Sequence, residues 1–153
     1  MKVKSIIRII FNLILGGMLV YGGIMKFDKP MPSPTAIVEK VQKGEAVAPN
    51  TEILKIKNYI FGMKQTGFFW EFLGIVELAA GILLISQVFS GVGALIALPV
   101  VLNIFLFHLF LEFEETGELL QTAGLLLINL VLIGFTYKTW KSLVYDKKIL
   151  SLG

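Results

Sequence analysis

The charged residues of this chain fall in blocks, and long apolar intervals separate the blocks. Positions 9–25, 91–111 and 119–137 carry no Asp, Glu, Lys or Arg, and 72–89 carries only Glu77. A helix that crosses the hydrocarbon core of a bilayer needs about 20 mostly apolar residues. The pattern therefore predicts spans at about 6–25, 67–86, 91–111 and 119–137. The expected fold is an all-α membrane protein, a four-transmembrane-helix bundle forming a single domain over 1–153. Lys2, Lys4 and Arg8 ahead of the first apolar run give it the look of a signal peptide. The run exceeds the usual length of about 7–15 residues, and the small-residue match Ala46-Val47-Ala48 lies far beyond it. An uncleaved first helix is expected.

The connection 27–66 is long and should be partly helical. Lys29-Pro30-Met31-Pro32-Ser33-Pro34 cannot continue a helix, because proline lacks the N–H donor and restricts the residue before it. Thr35 is the expected cap of a short amphipathic helix ended by Gly44, and Thr51–Tyr59 should form another, with Ile53, Leu54, Ile56 and Ile60 apolar. Such pieces either cap the bundle or lie along the headgroups. Gln87–Ser90 reads as a tight turn, so spans 2 and 3 should pack antiparallel. Four spans put both termini on one side. The termini are short and basic, whereas 112–118 holds Glu112, Glu114, Glu115 and Glu118 and no base. The positive-inside rule then places both termini in the cytoplasm.

Polar residues within the spans are the candidate chemistry. Charge in hydrocarbon costs about 2.5–3.5 kcal/mol per group on insertion scales, and such groups usually face a bundle interior, a path or a site. At about 100° per residue, Asn12, Gly16, Leu19, Gly23 and Lys26 share one face of span 1. On span 2, Gly67, Gly74 and Gly81 recur every seven residues, with Glu71 on one flank and Glu77 on the other. Small residues let helices approach closely, so both carboxylates should border the bundle. Span 3 offers Asn103, four residues after Pro99, and the i, i+4 pair His108 and Glu112. Span 4 offers Gln121 and Asn129.

Because spans alternate in direction, Lys26, Glu71, His108, Glu112 and Gln121 should gather in one outer cluster. Glu77, Asn103 and Asn129 should lie deeper. This distribution predicts an outward-facing polar pocket rather than a continuous channel. The candidate ligand-binding or proton-handling residues are Lys26, Glu71, Glu77, Asn103, His108, Gln121 and Asn129; none is assigned a catalytic role. Each has a plainer alternative. Lys26 can snorkel to the interface, Glu71 can be solvated at the boundary, Glu77 can sit in an internal salt bridge, His108 can be a hydrogen-bonded packing residue, and the asparagines can join helices.

Composition narrows the function classes. Only 16% of residues are charged, against about 25% in soluble domains, and the spans leave no room for a soluble catalytic domain. The net charge of +3 comes from lysines at span ends and in the first loop, so no nucleic-acid partner is expected. The chain has no cysteine, which excludes thiol–disulfide chemistry and thiolate ligands. One histidine excludes bis-histidine haem, and Lys26, Glu71, His108 and Glu112 make a poor ligand set, so neither haem nor metal is expected. No dinucleotide fingerprint, phosphate loop, HExxH or GxSxG pattern occurs.

Tyr21-Gly22-Gly23-Ile24-Met25-Lys26-Phe27 resembles the glycine–x–x–Lys–Phe signature that ends the first helix of DoxX and DoxX-like membrane proteins. Gly74-Ile75-Val76-Glu77-Leu78-Ala79-Ala80-Gly81-Ile82-Leu83-Leu84 is similar to that family's second-helix motif, and Pro99, Asn103 and Phe107-His108 to its third helix. The resemblance implies a four-helix protein of the bacterial cytoplasmic membrane. It carries over Lys26, Glu77 and His108 as functional positions. It also implies a place in a membrane redox system, since some members are linked to thiosulfate:quinone oxidoreduction and others to oxidative-stress complexes. The long 27–66 connection and the lack of cysteine separate this chain from cysteine-bearing relatives.

The leading expectation is an accessory or assembly subunit of a membrane redox or envelope system, without catalytic activity of its own. Quinone or lipid would be the ligand of the outward-facing pocket. Its partners would be the lipid bilayer and redox-complex subunits or a second copy of the chain. Two other readings stand beside it. One is a small proton-coupled transporter using Glu77. The other is a membrane enzyme acting on a lipid-soluble substrate, with Glu71 or His108 as general base.

Overall fold

The apolar intervals fold as helices because residues such as Leu and Ala dominate them and few of their side chains compete for backbone hydrogen bonds. The computed structural model describes residues 3–28, 35–45 and 51–144. In chain order the helices are α1 (Val3–Met25), α2 (Ala36–Gln42), α3 (Thr51–Gln65), α4 (Phe69–Ile85), α5 (Ser90–Leu111), α6 (Thr116–Phe135) and α7 (Tyr137–Val144). Among the described residues there is no strand. Three helices, α1, α5 and α6, are long and apolar enough to cross a membrane, and a fourth crossing is counted if α3 and α4, bent by 89° at their junction, are taken together.

The α3–α4 junction corrects the expected glycine stripe. Gly67 lies before α4, in the turn, with φ +76°. A Cβ is disfavoured at that dihedral, so glycine serves the sharp bend rather than helix contact. Thr66 secures the turn: its hydroxyl donates to the Met63 carbonyl (2.8 Å) and accepts from the Phe69 N–H (2.9 Å). Span 2 therefore begins two residues later than expected and is 17 residues long. Thr35 is also not a side-chain cap. Its hydroxyl donates to the Glu39 carboxylate at 2.6 Å and leaves the backbone amides uncapped. The proline-rich stretch 29–34 and the Ala46–Ala48 match lie outside the described residues.

Helix α1 packs on α4, α4 on α5 and α5 on α6, and α6 returns to α1. The core between them is narrow and built partly of small residues, including Leu15, Leu19, Ala80, Leu84, Ala94, Ala97 and Leu132. The closest seam is α1–α4. A Cβ placed on Gly81 would stand 2.8 Å from the Gly16 carbonyl oxygen, and one on Gly23 would stand 2.9 Å from that of Gly74. The outward faces are apolar: Leu13, Phe72, Ile75, Ile82, Phe110, Leu120 and Leu127 are all exposed. Asn12, Glu77 and Asn129, by contrast, are buried. This inverts the polarity of a water-soluble domain, where buried charge is rare and large exposed apolar patches are few. Helix α3 leaves this four-helix core at its junction with α4 and lays residues against α4 and α5.

Candidate functional site

Lys26 follows the last residue of α1, and Glu77 sits at mid-height on α4. A glycine brings the two together. Gly74 has no side chain where a Cβ would meet the Phe27 ring at 2.9 Å and the Lys26 Cβ at 3.2 Å, so the lysine stem crosses onto α4. The Glu77 carboxylate packs beside Gly22, where a Cβ would stand 3.5 Å from Oε2, an ordinary contact that a side chain would also allow. Lys26 Nζ donates to Glu77 Oε2 at 2.6 Å, with side-chain exposures of 13% and 2%. The second carboxylate oxygen, Oε1, is buried and has no hydrogen-bond partner. An unsatisfied acceptor of this kind is costly, by roughly 1–3 kcal/mol or more for a charged group, unless something else donates to it.

The pair is roofed by aromatic and lysine side chains. Lys26 Nζ lies 5.2 Å from the Trp70 ring centroid and Lys64 Nζ lies 4.8 Å from it, distances typical of cation–π contact. Tyr59 of α3 donates its hydroxyl to Asn103 Oδ1 at 2.8 Å and tilts its ring against Phe107, 5.4 Å between centroids. Beneath this roof is a cavity of about 130 Å³ bordered by Lys26, Tyr59, Trp70, Glu77, Asn103 and Phe107. A neighbouring groove of about 350 Å³ runs along Phe69, Phe72, Leu73, Val76, Pro99 and Val100 and shares Tyr59, Met63, Leu73 and Asn103 with it. The first space is bordered by the Lys26–Glu77 pair; the second is lined mainly by hydrocarbon.

The expected single outer cluster divides in two. Lys26 turns toward Glu77, whereas His108 faces the α5–α6 turn. There, His108 Nδ1 lies 2.8 Å from Glu112 Oε2 and 3.5 Å from Glu118 Oε2. The division follows from geometry: the gap at Gly74 draws Lys26 across α4, and the short turn after α5 folds the start of α6 back over His108. Gln121 is exposed on α6, where it borders a cavity of about 270 Å³ shared with His108 and Glu118. Glu71 is half-buried in the first turn of α4, with Oε2 shielded and without a partner. Asn103 is exposed on α5 and is engaged from α3 rather than deep between spans. Asn129 is fully buried, and neither atom of its amide finds a partner.

Several residues of these sites were not singled out from the sequence. Trp70 stands seven residues before Glu77, two helical turns along one face, and that spacing was the available signal. Glu118 was visible only as one acid of a charged turn. Tyr59 and Lys64 carried no signal beyond the amphipathic pattern of α3. At the opposite end of the bundle, Arg8 donates to Ser90 Oγ (2.7 Å) and Asn12 to Gln87 Oε1 (2.8 Å), joining α1 to the α4–α5 turn. Comparison with protein-family models, curated proteins and solved structures returns no match.

Proposed function

We propose that this chain is a four-span membrane protein that binds a single-chain amphiphile, of the quinone or lipid kind, with its head at Lys26 and Glu77 and its tail in the adjoining groove. In this reading α1, α4, α5 and α6 cross the bilayer. Helix α4, at 17 residues, is about 26 Å long at about 1.5 Å per residue, near the lower limit for crossing a core of about 30 Å. Helix α3, at 89° to it, would then lie along the interface as a lid. The exposed apolar faces of all four helices support immersion in lipid.

The observation that carries the proposal is the shielded Oε1 of Glu77, an acceptor without a donor on a residue that borders a small chamber sharing part of its lining with an apolar groove. A quinol or lipid hydroxyl would donate to it, and a carbonyl would accept from Lys26, which has donors to spare. The chamber suits a single ring or headgroup fragment, and the tail would account for the larger groove. An accessory or assembly role in a redox or envelope system of the bacterial cytoplasmic membrane, as the DoxX-like motifs imply, extends the same proposal.

The test is extraction. Protein purified in detergent is extracted with organic solvent, and the extract is analysed by mass spectrometry for quinones and lipids. Wild type is expected to retain an amphiphile in near-stoichiometric amount, and Glu77→Gln and Lys26→Met to lose most of it. Retention at the same level by both variants, or none by wild type, would refute the assignment.

A further inference from the structure

The structure assigns a second site, independent of the first: His108, Glu112 and Glu118 form a binding site for a divalent transition-metal ion. The sequence expectation of no metal counted His108 and Glu112 beside Lys26 and Glu71. It did not count Glu118, which the fold brings to the same point.

His108 comes from the last turn of α5, Glu112 from the residue after it and Glu118 from the first turn of α6. One donor atom from each lies within 4.8 Å of the others. The two separations from Nδ1 are 2.8 Å to Glu112 and 3.5 Å to Glu118. Donors held about 2.0–2.2 Å from a common ion are about 3 Å apart at octahedral angles and about 3.4 Å apart at tetrahedral ones. The two separations from Nδ1 fall close to these values, and the three donors together lie within 4.8 Å, a spread that small rotations of the carboxylates would close around an ion.

Among the described residues the three groups have no ion-pair partner outside their own set. Although Glu112 lies close, His108 Nδ1 is a shielded nitrogen with no hydrogen bond of acceptable geometry. Its ring is held edge-on to Phe107, with centroids 5.2 Å apart and planes at 87°. The chain has no lysine or arginine from 65 to 137, and among the described residues none pairs with Glu112 or Glu118. Two carboxylates therefore converge on one imidazole without a permanent cation to neutralise them. Glu114 and Glu115, in the same turn, are exposed and take no part in the cluster.

The site is anchored and has an open side. Thr122 Oγ1 donates to the Glu118 carbonyl at 2.9 Å, tying down the start of α6. His108 and Glu118 also border the cavity of about 270 Å³ between α1, α5 and α6, whose remaining lining includes the apolar Leu15, Leu19 and Leu125 and the polar Gln121 and Thr122. Two of the three donors border the cavity, and on that side coordination positions are free for water or a ligand. One imidazole nitrogen and two carboxylate oxygens suit Zn²⁺, Mn²⁺ or Fe²⁺. Calcium prefers six to eight oxygens, and soft Cu⁺ prefers thiolates.

The experiment uses the full chain in detergent, stripped with EDTA and titrated with ZnCl₂ by calorimetry, with bound metal counted by mass spectrometry after gel filtration. We expect about one zinc ion per chain, with affinity falling roughly tenfold or more in Glu118→Gln and in His108→Ala. The control is Glu114→Gln/Glu115→Gln, which should bind as wild type. Glu118 is largely exposed (62%), so its substitution tests the site even if His108→Ala does not fold. Co²⁺ loading gives an independent readout, since the visible spectrum of the bound ion should change in Glu118→Gln. Absence of stoichiometric zinc, equal binding by Glu118→Gln, or loss of binding in the control would overturn the assignment. None of these outcomes depends on whether an amphiphile occupies the Lys26–Glu77 chamber.

Discussion

Gly16 and Gly17 are neighbours in α1, and the same substitution should have opposite effects at the two positions. A Cβ on Gly16 would meet the Gly81 carbonyl oxygen at 2.9 Å, Leu84 Cβ at 3.1 Å and Ile85 Cγ1 at 2.8 Å; a Cβ on Gly17 would meet nothing within 4 Å. Alanine in place of glycine favours a helix by about 1 kcal/mol. At Gly17 that gain stands alone, so Gly17→Ala should stabilise by roughly 0.5–1 kcal/mol. At Gly16 it opposes overpacking, which costs about 1–3 kcal/mol. The Ile85 side chain can rotate away, but a carbonyl and a Cβ move only if α4 itself shifts, so the upper half of that range applies. The net effect at Gly16 should be a loss of about 1–2 kcal/mol. Gly81→Ala presses on the same point from the other helix, with Gly16 O at 2.8 Å. The double substitution should therefore cost less than the sum, because one separation of the helices relieves both contacts. Unfolding in mixed micelles with increasing SDS, followed by far-UV circular dichroism, measures each difference. Equal shifts for Gly16→Ala and Gly17→Ala would show that the α1–α4 seam is not the close contact described.

Lys26→Met should be the more damaging half of the ion pair, at about 3–5 kcal/mol, since it strands a buried carboxylate. Glu77→Gln should cost less, because Lys26 is partly exposed and keeps Trp70 beside it. The double variant should recover most of the loss in the same unfolding assay, and strictly additive costs would contradict a direct pairing. Asn129→Leu should leave stability unchanged or raise it by about 1 kcal/mol, since both polar atoms of the amide lack partners. A clear drop in the unfolding midpoint would mean that the amide is engaged.

The charge-free intervals read directly as helices, because the absence of charge over about 20 residues is a local property that no packing detail alters. The buried face of α1, with Asn12, Gly16, Leu19 and Gly23, was also legible, since helical periodicity sorts positions onto faces without reference to a partner. Lys26 and Glu77 could be named as candidates on the same grounds. Which groups meet was decided only by the tertiary structure. Lys26 reaches Glu77 rather than Glu71 because the missing side chain at Gly74 lets its stem cross α4 there. His108 gathers Glu118 as well as Glu112 because the turn after α5 brings α6 back within 3.5 Å of its ring. Gly67 completes a seven-residue spacing yet serves a bend, since its backbone dihedral rather than its spacing sets its role. Periodicity fixes an angle around one helix axis. The distance between two axes, and so the pairing of groups 51 residues apart, depends on how closely the small residues of both helices let them approach.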